Sequence, residues 1–123
     1  MKIRELNHVA LHVADLEASR RFYGELLGLE EIARPAFKFP GAWYRYGVHQ
    51  ELHLIVDAEL TGPRGTGTHH ALEVDSIEAA AAHLQKVGIA FRGVNNRPDG
   101  AQQIFFQDPD GHTIELTSNL PTG

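Results

Sequence analysis

The chain has 123 residues, 42% of them hydrophobic and 22% charged, which is ordinary for a globular protein large enough to bury a core. A formal net charge of −5 without a basic stripe argues against a nucleic-acid partner. No apolar run approaches the roughly 20 residues of a membrane span, and the first residues do not resemble a secretory signal. The absence of cysteine excludes disulfides and thiolate chemistry and fits a reducing cytoplasm. The unusual feature of the composition is the presence of eight histidines.

The most informative feature is an internal repeat. Residues 8–18, HVALHVADLEA, return at residues 69–79 as HHALEVDSIEA, so that His8 maps onto His69. A second pair of equivalent residues, His53 and Glu115, has almost the same separation along the sequence. The sequence therefore predicts one domain over 1–123 made of two copies of a single module. The first module is expected at residues 1–57, the linker at 58–67 and the second module at 68–120.

The first module is predicted to contain a strand, a helix and three further strands. Their expected positions are residues 6–13, 16–27, 30–33, 42–47 and 51–56. Asp15 is a suitable N-cap for the helix and Gly28 a suitable stop. Pro35 and Pro40 bracket a loop before the third strand.

The second module repeats this order after the linker. Its strand, helix and three strands are expected at residues 68–74, 77–87, 90–93, 102–107 and 112–117. Gly88 closes its helix, and residues 95–100 and 108–111 form turns. The predicted fold class is α+β, with tandem βαβββ modules forming a curved, mostly antiparallel sheet and the helices on its outer face.

Side-chain parity selects four candidate metal ligands. Alternate residues of a strand face opposite sides, and in each relevant strand one side is apolar and suited to pack on a helix. The opposite, concave side carries His8, His53, His69 and Glu115. The same reasoning assigns the neighbouring His70 to the helix-packed side.

Three imidazoles and one carboxylate suit a divalent cation of intermediate softness, namely zinc, nickel, iron(II), cobalt or manganese. A single histidine on a sheet is more often structural. Four such residues at repeat-equivalent places with matching parity favour a metal site.

Other residues on the same side are candidates for binding substrate. His12 lies four positions after His8, and Gln103 and Phe105 share one face of the seventh predicted strand. In the strand at 42–47, either the two tyrosines or the pair Trp43 and Arg45 can line a cavity, and Arg45 is taken as a candidate substrate-binding residue.

These strings resemble the vicinal oxygen chelate superfamily, the group of glyoxalases, bleomycin resistance proteins and dioxygenases. The likeness rests on LNHVALHVADLEASRRFYGELLGLE at 6–30, HHALEVDSI at 69–77 and FFQDPDGHTIEL at 105–116. It implies a divalent metal in a cupped sheet, with open positions for two oxygens of a substrate or intermediate. It also implies that Glu115 both binds metal and moves protons as the catalytic base. His53 departs from the pattern, because glyoxalase I usually carries Glu or Gln there.

Three functions follow from the resemblance. The first is a metal-dependent lyase or isomerase acting on a small carbonyl compound or thioester through a metal-stabilised oxyanion or enolate. The second is an iron(II) dioxygenase, and the third a metal-free protein that binds a drug or metabolite. A chain of this length resembles the dimeric members, so a homodimer is expected.

Overall fold

A computed structural model describes residues 1–62, 64–65 and 67–118. The chain divides into two compact units, Met1–Gly62 and Pro63–Gly123. Each unit contains one helical element and one four-stranded sheet in the same βαβββ order, which confirms the predicted α+β class and its repeat. No helix in the described ranges is long and apolar enough to cross a membrane.

The first unit is built from one helical element and four strands. They are β1 (His8–Val13), α1 (Leu16–Arg20) with a π-helical continuation (Arg21–Leu26), β2 (Glu31–Ile32), β3 (Gly41–Tyr46) and β4 (Gln50–Val56). The strand order is β1-β4-β3-β2, with β1 and β4 parallel and the other pairs antiparallel.

The helix of this unit differs from the uniform helix expected over 16–27. Asp15 caps it as predicted, its carboxylate accepting from the Ala18 amide, but the winding widens to a π-helix from Arg21 onward. Phe22 and the adjacent Tyr23 are both buried. A wider turn reduces the angle between consecutive side chains, which allows both rings to face the core.

The second unit repeats this arrangement with an ordinary α-helix. Its elements are β5 (His69–Val74), α2 (Ile77–Val87), β6 (Phe91–Asn96), β7 (Gln102–Gln107) and β8 (Thr113–Ser118). The strand order is β5-β8-β7-β6, again with only the first pair parallel. Ser76 caps α2 and Gly88 ends it with φ +80°, as expected for a left-handed C-terminal residue. β6 extends to Asn96, into residues predicted as a turn.

Each sheet has an apolar face against its helix and a mixed face opposite. In the first sheet Leu52 and Leu54 of β4 are fully buried, and β1 pairs Val9 and Leu11 with them. In the second, Leu116 pairs with Leu72. The predicted parity of these strands is therefore observed, and it places the candidate ligands of each unit on the mixed face.

Candidate functional site

In the first unit, His8 and His53 are brought together by the parallel pairing of β1 and β4. Ala10 lies opposite His53, and His8 lies opposite Glu51. The two imidazoles stack with centroids 4.1 Å apart and planes 17° from parallel. The two ligands predicted for this module are therefore in contact.

Trp43 completes a sandwich around His53. The antiparallel pairing of β3 and β4 sets these residues opposite each other, and their rings stack 3.7 Å apart at an angle of 2°. Trp43 and Arg45 therefore lie on the same face as His53 and Glu51. Tyr44 and Tyr46 are buried in the core on the other face.

The buried Tyr44 has a structural role. Its hydroxyl donates to Glu31 Oε1 over 3.1 Å. Burial, together with the negative charge of Glu31, raises the pKa of Tyr44 to about 12. This phenol therefore stays neutral across the physiological pH range.

Glu51 holds the edge of the His53 ring. Its Oε1 lies 2.9 Å from His53 Nε2, and its Oε2 lies 3.5 Å from an Arg45 guanidinium nitrogen. Arg45, predicted to bind substrate, is thus paired with a neighbouring carboxylate. Because Glu51 lies two residues before His53, strand parity already placed the two side chains on the same face.

His12 lies on the same face as His8, four residues further along β1. Its Nδ1 is 3.3 Å from Asp57 Oδ2, and 55% of its side chain is exposed. The side chain is therefore accessible to solvent and to a ligand on the site face.

In the second unit, all four predicted site residues form one cluster. Glu115 is buried, with Oε1 3.0 Å from His69 Nε2 and Oε2 accepting from the Gln103 amide at 3.0 Å. Phe105 lies opposite Glu115 in the β7–β8 pair and meets the His69 ring edge-on at 5.7 Å. Gln103 thus orients the carboxylate.

The partners of the ring nitrogens determine which tautomer each histidine adopts. His69 Nδ1 lies 2.9 Å from the Gly67 carbonyl oxygen and His8 Nδ1 lies 2.8 Å from Asn7 Oδ1, and both oxygens only accept. A proton on each Nδ1 leaves the lone pair on Nε2. Metal-binding histidines are commonly held in this way, by donating from the nitrogen that does not bind the metal.

The tautomer of His69 also determines how this ring meets the Glu115 carboxylate. In a neutral His69 the Nε2 lone pair faces a buried carboxylate 3.0 Å away. Two acceptors at this distance repel each other unless a proton or a cation lies with them. The chemistry of these donors therefore fits a cation-binding site.

In His53 the pattern is reversed, because Nε2 faces the Glu51 carboxylate and Nδ1 carries the lone pair. Within residues 1–62, 64–65 and 67–118, no group of three His, Cys, Asp or Glu side chains is arranged to hold a metal ion. The predicted ligands are assembled as two pairs, one in each unit.

The adjacent His70 lies on the opposite face of β5, where it pairs with Ile114. Burial lowers the pKa of His70 to about 4, and the nearby His112 and His69 add to this effect. A neutral imidazole on the helix-packed side is the arrangement expected from parity.

The chain resembles known proteins along nearly its whole length. Lactoylglutathione lyase of Escherichia coli O157:H7 is 34% identical over 131 residues, covering 96% of this chain and 95% of that protein. The crystal structure of a glyoxalase family protein from Bacillus anthracis has a TM-score of 0.85 and 32% identity, covering 97% and 98% of the two chains. TnmS3, an antibiotic binding protein from Streptomyces sp. CB03234, has a TM-score of 0.77 and 30% identity, covering 96% and 98%.

The family model of the Glyoxalase/Bleomycin resistance protein/Dioxygenase superfamily matches residues 5–116. This range includes every helix and strand of both βαβββ units, apart from the last two residues of β8, and every candidate ligand. The chain therefore belongs to the glyoxalase, bleomycin resistance protein and dioxygenase superfamily.

Proposed function

We propose that this protein is a divalent-metal-dependent, glyoxalase-like lyase or isomerase acting on a small carbonyl compound or thioester. The observation that carries the proposal is the cluster around Glu115, a buried carboxylate facing the Nε2 of His69, whose other nitrogen is bonded to a backbone carbonyl. A metal ion bound between these two side chains would satisfy both of them.

The proposed metal ligands are His8, His53, His69 and Glu115, two from each unit. His8 and His69 would bind through Nε2, since Nδ1 of each is occupied. His53 would bind through Nδ1, with Glu51 holding its other edge. The bound metal supplies a Lewis acid that stabilises a developing oxyanion or enolate.

The proton is moved by Glu115 in this proposal. Its burial and its bond from Gln103 keep the carboxylate in one orientation. A base fixed in this way costs little reorganisation when the substrate proton is transferred. Phe105 and Gln103 border the base and are proposed to line the substrate site, together with His12 and Arg45.

Metal analysis of protein purified without chelator tests the ligand assignment. We expect near-stoichiometric zinc, nickel, iron, cobalt or manganese, lost in His69→Ala and retained in the control His83→Ala, whose side chain is exposed on α2. Turnover is then measured on a panel of α-keto, thiohemiacetal and acyl-CoA compounds. Metal-free protein that still binds small molecules would refute the enzyme and favour a binding role like that in the name of TnmS3.

An iron(II) dioxygenase is the competing enzymatic proposal. Oxygen uptake after reconstitution with iron(II) distinguishes it, because a lyase or isomerase consumes no oxygen. We further propose a cytoplasmic homodimer, which light scattering and cell fractionation test independently of the chemistry.

A further inference from the structure

The loop before β3 has an unusual composition. Residues 34–40, RPAFKFP, alternate cations with aromatic rings and contain no acid, in a chain with 16 acidic and 11 basic residues. Phe37 and Phe39 are 45% and 43% exposed. Exposed neighbouring aromatic residues are uncommon on a monomer surface and mark contact sites for ligands or partners.

This loop is held in a defined conformation. The Phe37 amide donates to the Pro35 carbonyl oxygen at 2.8 Å, and an Arg34 guanidinium nitrogen donates to the Phe39 carbonyl oxygen at 2.7 Å. Gly41 allows the close approach that follows, since a Cβ there would lie 2.2 Å from the Leu54 carbonyl oxygen. The backbone that carries the two rings is therefore held by these bonds, which lowers the entropic cost of binding a ligand.

Arg34 provides a cation beside these rings. The Phe37 and Phe39 rings stack with centroids 5.1 Å apart, and the Arg34 Cζ lies 5.0 Å from each centroid. No carboxylate in the described part of the chain forms an ion pair with this guanidinium, and its buried Nε has no hydrogen-bond partner. Among the described residues, the positive charge therefore faces two aromatic rings and one backbone carbonyl.

The ring series continues into the candidate site. Phe37 lies 6.1 Å from Trp43, and Trp43 stacks on His53, a proposed metal ligand. We propose that Arg34, Phe37, Phe39 and Trp43, here called the aromatic patch, bind a planar aromatic ring bearing a carboxylate. The ring would stack on the phenylalanines and the carboxylate would pair with Arg34. The claim that the aromatic carboxylate is part of the substrate rests on the proposed function. The claim that the aromatic patch binds such a group does not.

Trp43 is the sole tryptophan, so its indole N–H gives one reporter signal in a nitrogen-15 NMR titration. The probe is 2-naphthoate added to protein treated with chelator. Two comparison compounds are cyclohexanecarboxylate, which keeps the charge without the aromatic ring, and 2-naphthol, which keeps the ring without the carboxylate. We expect saturable shifts with 2-naphthoate and at least about tenfold weaker binding of either comparison compound.

Three variants assign the contacts. Phe37→Leu with Phe39→Leu keeps apolar surface but removes the rings, and is expected to weaken 2-naphthoate binding about tenfold. Arg34→Met is expected to abolish the preference for 2-naphthoate over 2-naphthol. Val48→Ala, at an 86% exposed position elsewhere in the unit, is the control and leaves binding unchanged.

Binding that ignores the aromatic ring, or that survives loss of both phenylalanines, overturns the proposal. So does an indole shift that depends on protein concentration alone, which would assign the patch to a second copy of the chain. Glu115→Gln separates the two proposals. It is expected to remove turnover and retain 2-naphthoate binding, so either result can fail without the other.

Discussion

Replacing Glu115 by glutamine tests the catalytic proposal with little change in shape. The carboxylate accepts one hydrogen bond from Gln103 and faces His69 Nε2. A glutamine can keep both contacts, with its carbonyl accepting from Gln103 and its amide donating to the lone pair on His69. Because no buried group loses a partner, we expect the free energy of unfolding to change by less than about 1 kcal/mol.

Glu115→Leu provides the contrast in stability. It leaves the Gln103 amide without its partner, and a part-buried polar group that loses its hydrogen bond costs about 1–3 kcal/mol. Chemical denaturation monitored by circular dichroism measures both variants. A glutamine variant as unstable as the leucine variant would contradict the proposed hydrogen-bond exchange.

The effect of Glu115→Gln on turnover is expected to be much larger. A positioned general base contributes about 10²- to 10⁴-fold to the rate, equivalent to about 3–5 kcal/mol in the barrier. Metal affinity should also fall, by at least about tenfold, because a carboxylate ligand is lost. Turnover is therefore measured at saturating metal, with Glu78→Gln on the exposed surface of α2 as the control. A wild-type rate at saturating metal would refute Glu115 as the base.

Three further predictions concern the framework of the site. The pKa of Tyr44, about 12, lies above the value of about 10 in the unfolded chain, so the contribution of Tyr44 to stability is complete below about pH 10 and is lost as the pH rises toward about 12. The absorbance titration of wild type minus that of Tyr44→Phe, at about 295 nm, should therefore show a step near pH 12. A step near pH 10 would contradict the effect of burial. Asp15→Ala and Ser76→Ala remove the N-caps of the two helices, which occupy equivalent places in the repeat. Each substitution should lower the free energy of unfolding in urea by about 1 kcal/mol. No loss in either variant would show that these capping hydrogen bonds contribute nothing to stability. Gly41→Ala places a Cβ 2.2 Å from the Leu54 carbonyl oxygen. It should lower the free energy of unfolding in the same assay by about 1–3 kcal/mol. Unchanged stability would mean that β3 and β4 separate easily at this point.

Much of the fold was predictable because the two modules repeat the same local signals. The bounds expected for α2 and β7 coincide with those observed, since a capping residue, an apolar stripe and a terminal glycine are all local. The first helix was the exception. Its π-helical continuation depends on burying two adjacent rings against the sheet, which hydrophobic periodicity does not encode.

The sequence by itself determined the face on which each candidate ligand lies, because strand parity depends only on odd and even positions. It thereby placed His8, His53, His69 and Glu115 on the faces opposite the helices. Tertiary structure alone decided what touches them: the Trp43 stack, the Glu51 carboxylate on His53 and the Gln103 bond to Glu115. These contacts join residues on neighbouring strands or at particular rotamers. Their geometry depends on strand register and side-chain packing, and neither is written in the spacing of residues along one strand.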